Sequence, residues 1–210
     1  MNEEKHTYSG EPLDETTADP NPLKQFQRWF DEARNAGLPL PEAMTLATAT
    51  PDGRPSARLV LLKHADELGF VFYTNYGSQK ARELDANPQA ALVFYWPQLE
   101  RQVRVEGKVQ RTGSDESDAY FRTRPRESQL GAHASPQSEA VASRTVLEEG
   151  FAELERLYEG RDVERPAHWG GYRLMPDRIE FWKGRPSRLH DRLLYKRQPD
   201  GGWSITRLAP

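Results

Sequence analysis

The chain contains no cysteine among its 210 residues, which excludes disulfides, thiolate nucleophiles, cysteine-ligated zinc and thiolate-bound iron–sulfur clusters together. Any redox chemistry must then ride on a bound cofactor. No apolar run is of membrane length, and the opening MNEEKHTYSGEPLDETTADPNP lacks the apolar core of a signal peptide. A cytoplasmic protein away from membranes is expected. An excess of one charge sign is missing too: 29 Lys and Arg against 32 Asp and Glu leave a formal charge of -3. That gives no global field to hold a polyanion, so nucleic acid is not an expected partner, although a local basic cluster can still hold one phosphate. The five histidines (His6, His64, His133, His168, His190) lack metal-ligand spacing, and no metal site is expected. Walker and dinucleotide glycine patterns are absent, which argues against a nucleoside triphosphate or NAD fold.

What is present fits one domain with an arm. Residues 1 to 19 are acidic and rich in small polar residues, the composition of a mobile N-terminal segment, and 20 to 210 read as a single domain. Asp19-Pro-Asn-Pro22 supplies capping groups and a first-turn proline, Leu23, Phe26, Phe30 and Ala33 follow at helical spacing, and Gly37 is a stop. From Ala43 the pattern changes to strands: MTLATAT and PSARLVLLKHA around Asp52-Gly53 predict a hairpin. LGFVFYTN, QAALVFYWPQ and RQVRVEGKVQRT supply three more strands, with a short helix over 78 to 86 before the last two. Five successive antiparallel strands favour a closed or nearly closed barrel. Helices are expected over 114 to 124 and 143 to 158, joined by a polar connection, RPRESQLGAHASPQS. Short strands divided by turns at Pro176-Asp177 and 199 to 202 then complete a mainly β fold with flanking helices.

Cations recur beside apolar and aromatic residues. Arg58 and Lys63 bracket the strand Arg58-Leu-Val-Leu-Leu-Lys63; five apart, they point to opposite faces unless the strand bulges or Lys63 lies beyond its end. Tyr73 to Lys80 runs from a strand into a helix start, where backbone N–H groups, hydroxyls and Lys80 suit a phosphate. Tyr120, Arg124 and Ser128 combine a phenol, a guanidinium and a hydroxyl at a helix end, a set suited to a second phosphate. Over 181 to 197, FWKGRPSRLHDRLLYKR offers Trp182, Arg188, His190 and Arg192, groups able to hold a planar anionic ligand, with His190 able to donate or exchange a proton. Snorkelling cations, ordinary helix caps and a charged edge strand are the structural alternatives for these segments.

In this order, RLVLLK, FYTNYGSQKA, RQVRVEG, YFRTRPRESQLGAHASPQS, EFWKGRPSRLHDRLLYKR and WSITRLAP span nearly the whole chain. Together they resemble the pyridoxamine 5'-phosphate oxidase family. The resemblance implies an FMN-binding split β-barrel, homodimeric, with sites shared at the subunit interface. It implies that Arg58, Lys80, Tyr73, Thr74, Gln102, Gln137, Ser138, Trp182 and Arg192, with Leu59, Val60 and Leu61, cradle the flavin. Lys63 and Gln79 belong to the same surroundings; Gln79 stands where the family often has arginine. Lys63, Tyr120, Arg124 and Ser128 are implied to bind the phosphate of a vitamin B6 substrate, with Arg188 and His190 against its ring. Lys5 and Tyr8 are implied to close over it as part of a lid, Lys5 replacing an arginine. The implied reaction converts pyridoxamine or pyridoxine 5'-phosphate to pyridoxal 5'-phosphate with dioxygen. Another flavin enzyme on the same barrel, or a non-catalytic flavin or pyridoxal phosphate binder, is the alternative.

Overall fold

The computed structural model describes Tyr8 and residues 10 to 210; Lys5 lies outside the described residues. Helix α1 (Pro22–Asn35) starts where sequence chemistry places it: the Asn21 side chain accepts from the Leu23 amide at 2.9 Å, and Pro22 occupies the first turn. Its apolar face buries Phe26, Trp29 and Ala33. Phe26 meets Phe70 and Phe94 at 4.9 Å, and Trp29 meets Phe181 edge-on at 5.3 Å. Each such fully buried side chain contributes about 1.5–3 kcal/mol.

The expected hairpin forms from β1 (Ala43–Ala49) and β2 (Pro55–Leu61), in register from Ala43 opposite Leu61 to Ala49 opposite Pro55. After β2 the chain changes partner. The Leu62 amide donates to Glu42, beside β1, whereas the Lys63 amide donates to Val71 of β4 (Gly69–Asn75). The short β3 (His64–Asp66) then pairs with β4. This one-residue handover joins the two ends of the sheet path and gives the barrel its closure. At the β3–β4 turn Gly69 has φ 129°, and a Cβ there would lie 2.0 Å from the Leu174 carbonyl oxygen.

Helix α2 (Gln79–Ala86), β5 (Gln89–Trp96) and β6 (Arg101–Arg111) follow, then α3 (Ser114–Thr123), α4 (Arg126–Ala134) and α5 (Arg144–Leu157). Strands β7 (Trp169–Lys183), β8 (Asp191–Arg197) and β9 (Trp203–Arg207) finish the chain. Three sequence expectations are corrected. The sheet order is β2-β1-β5-β6-β7-β4-β3, so the first five strands are not neighbours in succession: β7 lies between β6 and β4. The polar connection after Arg124 contains α4, whose buried Leu130 and Ala132 give it a face that short polar spacing conceals. Pro176-Asp177 is not a turn between strands but a bulge within the 15-residue β7, where the register shifts between Glu106 and Gly107. A bulge is where a strand tolerates proline. Gly107 permits the close approach, since a Cβ there would meet the Met175 carbonyl oxygen at 2.1 Å.

The main core fills the barrel beneath α1. A second cluster, Phe121, Leu130, Ala132, Val163 and Trp169, packs α3 to α5 against the ends of β4 and β7. Among the described residues, no helix is long and apolar enough to cross a membrane. No group of three or more His, Cys, Asp or Glu among them is arranged to hold a metal ion.

Candidate active site

A cavity of about 690 Å³ opens where β2 and the end of β4 face α3 and α4. Its wall brings together Leu59, Val60, Leu61, Lys63, Tyr73, Thr74, Lys80, Tyr120, Arg124, Ser128 and Gln137 from the residues expected by sequence. Lys63 reaches it because β2 stops at Leu61, so strand alternation no longer dictates its direction. Asn75, Thr123, Gly131, Ser135 and Trp169 line it as well and were not foreseen. For Trp169 the signal was the pair Gly170-Gly171 behind it: a Cβ at Gly171 would strike Thr112 and Tyr73 at 2.5 and 2.9 Å, which marks a close approach.

Of the three cations that line the cavity, Lys63, Lys80 and Arg124, the last two are held in different ways. Lys80 is buried, and its Nζ donates to Thr74 Oγ1 at 3.1 Å, Gln137 Oε1 at 3.0 Å and Ser78 Oγ at 3.3 Å. All three are neutral acceptors. Burial, reinforced by the Arg58 charge, pushes the ammonium down to about 8 against a small opposing effect of Glu83. At the α3–α4 turn, Arg124 lies with its guanidinium carbon 4.5 Å from the Trp169 ring centre. Its buried Nη1 has no hydrogen-bond partner among the described residues, and burial lowers its pKa. Tyr73, Tyr120 and Trp169 stack beneath it, Tyr73 against Tyr120 at 4.0 Å and against Trp169 at 5.3 Å. Burial, with the Glu116 charge next, pushes the Tyr73 phenol up to about 12, so it stays neutral near pH 7.

Arg58 does not line the cavity. It faces Glu83, at 3.3 Å, and donates to Ser56 at 2.5 Å and to Thr48. Gln79 likewise turns to Glu83, 2.8 Å away. Burial opposes ionisation of Glu83, yet hydrogen bonds from Ser56, Thr48 and Gln79 and the charge of Arg58 outweigh it and hold the carboxyl near about 2. Its folded pKa lies below the ordinary 4.5, so this carboxylate stabilises the fold above about 4.5, and the contribution is lost as pH falls towards about 2. Urea midpoints measured from pH 7 down to 3 should therefore fall less steeply for Glu83→Gln than for the parent. Parallel curves would remove Glu83 as the source. The spacing of Gln79 and Glu83, one helical turn apart, was the readable sign of this contact.

The remaining expected residues gather elsewhere. Gln102, Trp182 and Arg192 form one cross-strand row on β6, β7 and β8, continued by exposed Tyr95 on β5. Trp182 and His190 lie 4.7 Å apart, and the Tyr8 ring stands edge-on to both, 6.1 and 5.1 Å away. The Arg185 amide donates to His190 Nδ1 at 3.0 Å, so in the neutral ring the proton sits on Nε2. Arg188 is exposed, and both Ser187 and Arg188 have positive φ, 59° and 61°. Backbone of that kind costs of order 1–3 kcal/mol per residue and persists where the surroundings over-determine it. Arg192 donates to Glu180 at 2.8 Å, and Ser138 is exposed beyond the cavity rim. The exposed Leu59 and Leu61 border the cavity on the outer face of β2.

Residues 30–158 match the family described as pyridoxamine 5'-phosphate oxidase, and residues 169–210 match its pyridoxine 5'-phosphate oxidase C-terminal dimerisation region. The chain belongs to the pyridoxamine 5'-phosphate oxidase family. A pyridoxine/pyridoxamine 5'-phosphate oxidase of Rubrobacter xylanophilus is 64% identical over 206 residues, covering 98% of this chain and 94% of the relative. One from Ralstonia nicotianae is 61% identical over 203 residues, 97% and 95% of the two chains. In structure, PhzG from Burkholderia lata, solved with tetrahydrophenazine-1-carboxylic acid, superposes with a TM-score of 0.90 at 33% identity. That match covers 96% of this chain and all of PhzG. A family member with this cavity therefore has a split barrel whose C-terminal strands, β7 to β9, fall in the matched dimerisation region.

Proposed function

We propose that this chain oxidises pyridoxamine 5'-phosphate or pyridoxine 5'-phosphate to pyridoxal 5'-phosphate, using FMN and dioxygen. The observation that carries the reading is the pair of separately supported cations in one cavity, buried Lys80 on α2 and, at the α3–α4 turn, Arg124, whose Nη1 has no hydrogen-bond partner among the described residues. A cavity taking one phosphate needs one such group; two suit two phosphorylated molecules, cofactor and substrate.

The residues present fit FMN. Lys80, with Thr74 and Gln137 fixed on its ammonium, would hold the flavin phosphate, and the Leu59 to Leu61 backbone would lie along the flavin. When bound, FMN supplies the acceptor for the hydride leaving the substrate's exocyclic carbon and passes the electrons to dioxygen, giving hydrogen peroxide. Lys63, Arg124, Tyr120 and Ser128 would take the substrate phosphate. Arg188 stabilises charge on the ring, and His190 presents its Nε2–H as a donor to the ring oxygen, Nδ1 being occupied by the Arg185 amide. With the amine substrate, water hydrolyses the oxidised product and ammonia leaves. Catalysis is then mainly positioning, which holds reacting atoms about 3–3.5 Å apart.

The second cluster of Tyr8, Trp182, Arg188 and His190 does not line this cavity, whereas Leu59 and Leu61 at the cavity edge are exposed. Both facts support a homodimer in which a second copy covers β2 and brings its own cluster to the cavity. Tyr8 of the arm, seated against Trp182 and His190, would then lie beside the substrate.

The test is the visible spectrum of the purified protein, followed by assay of pyridoxal 5'-phosphate and peroxide from each B6 phosphate with and without FMN. Both products in equal amounts support the assignment. Flavin bound without turnover would move the chain to another substrate, as with the tricyclic carboxylic acid bound by PhzG. No flavin binding would mean that the cation pair serves something else.

A further inference from the structure

Residues 10 to 15 run across the strand that begins at Asp191, and a single carboxylate organises the crossing. Asp191 Oδ2 accepts from the Leu13 amide at 3.2 Å and lies 3.5 Å from Arg185 Nε, while Oδ1 accepts from Arg207 Nη1 at 2.7 Å. Each arginine also grips the arm. Arg185 Nη1 donates to the Gly10 carbonyl at 2.7 Å; Arg207 donates to the Leu13 carbonyl at 3.1 Å and, in a fork, to Glu15 at 2.5 and 2.9 Å. Leu13 is buried between these contacts, at 4% exposure. Two guanidiniums facing one segment repel each other unless a charge lies between them, and Asp191 is that charge.

The crossing has a downstream consequence. Two residues before Gly10, Tyr8 stands edge-on to His190, over Gly184, where any Cβ would lie 2.2 Å from the Tyr8 ring. Gly184 is thus the floor that lets the ring seat.

We propose that Asp191 is a positioning residue that acts through Arg185 and Arg207 to hold the arm closed, seating Tyr8 against His190. The proposal rests on the reading of the Trp182–His190 cluster as substrate-binding, but its test does not require turnover. Because the chain has no cysteine, Glu11→Cys supplies a unique, exposed attachment point for a nitroxide. In the full-length flavin-loaded protein at low salt, the spin-label spectrum should report restricted motion. Asp191→Asn, which keeps the shape and an acceptor for Leu13 but removes the charge, should add a mobile component, and so should raising salt in the parent towards 1 M. The salt titration keeps the test open if the variant folds poorly. In turnover, Asp191→Asn should raise KM for the B6 phosphate roughly fivefold, the scale of a partly exposed ion-pair network, with FMN affinity unchanged. A label that is already free in the parent, or equally restricted in Asp191→Asn and at high salt, overturns the clamp. A mobile component in the variant without turnover by either protein would support the clamp and reject the B6 phosphate reading.

Discussion

Arg124→Met should lower kcat/KM for the B6 phosphates by about 10²–10³, almost entirely through KM, while leaving flavin content unchanged and the melting temperature the same or higher. The two halves of this expectation have one cause. Arg124 is a half-buried cation whose Nη1 has neither a hydrogen bond among the described residues nor access to solvent, and the faces of Trp169 and Phe121, 4.5 and 5.6 Å away, compensate it in part. Such a group destabilises the empty protein, and an apolar side chain of similar length relieves that cost. A phosphate arriving at Arg124 meets donors that are already dehydrated and aimed, and losing a charge-assisted contact of that kind costs about 2–4 kcal/mol. Steady-state kinetics beside thermal denaturation decide it. A variant with unchanged KM removes Arg124 from the substrate site; one with lost stability makes it a structural residue.

Lys80→Met should weaken FMN binding about 100-fold, measured by quenching of flavin fluorescence, and should abolish its pH dependence between 7 and 10. The phosphate of FMN is already dianionic there, its second pKa being about 6. Lys80 titrates inside the window instead, because burial pushes it down to about 8. Parent affinity should therefore fall as pH rises through about 8, where the ammonium of the empty site loses its proton. Stability moves the other way. The folded pKa lies below the ordinary 10.5, so holding the buried charge costs stability that is fully felt below about 8 and fades towards 10.5. Lys80→Met should accordingly melt higher than the apoprotein parent at pH 7. Equal pH profiles for parent and variant would place the flavin phosphate elsewhere.

Both variants trade stability for binding in the same sense, and the clamp at Asp191 differs from them. Its charges are matched within the chain, Arg185 and Arg207 against Asp191 and Glu15. Among the described residues, Lys80 and Arg124 have no such ion-pair partner, whereas Arg58, expected with Lys80 in the flavin cradle, is already matched by Glu83. Matched charge holds a segment in place; unmatched charge waits for a ligand.

The sequence by itself determined the elements whose signals are local. Asn21-Pro22 and the spacing of Phe26 and Ala33 specify α1, and Asp52-Gly53 specifies the first hairpin, because caps and turns depend on residues a few positions apart. It also determined the chemistry available: no thiol, and cations dispersed among aromatic residues. The tertiary structure alone decided which of these cations share a space. Nothing local states that β7 inserts between β6 and β4, that Pro176 sits in a bulge, or that β2 hands over to β4 at Leu62 and Lys63. Those choices depend on pairing between residues far apart in the chain. They place Lys63 in the cavity with Lys80 and Arg124, turn Arg58 to Glu83, and carry Trp182 and His190 to another face. Side-chain type is a property of each residue, whereas burial and neighbouring charge, which set the Lys80 and Glu83 ionisation, exist only once distant segments have packed.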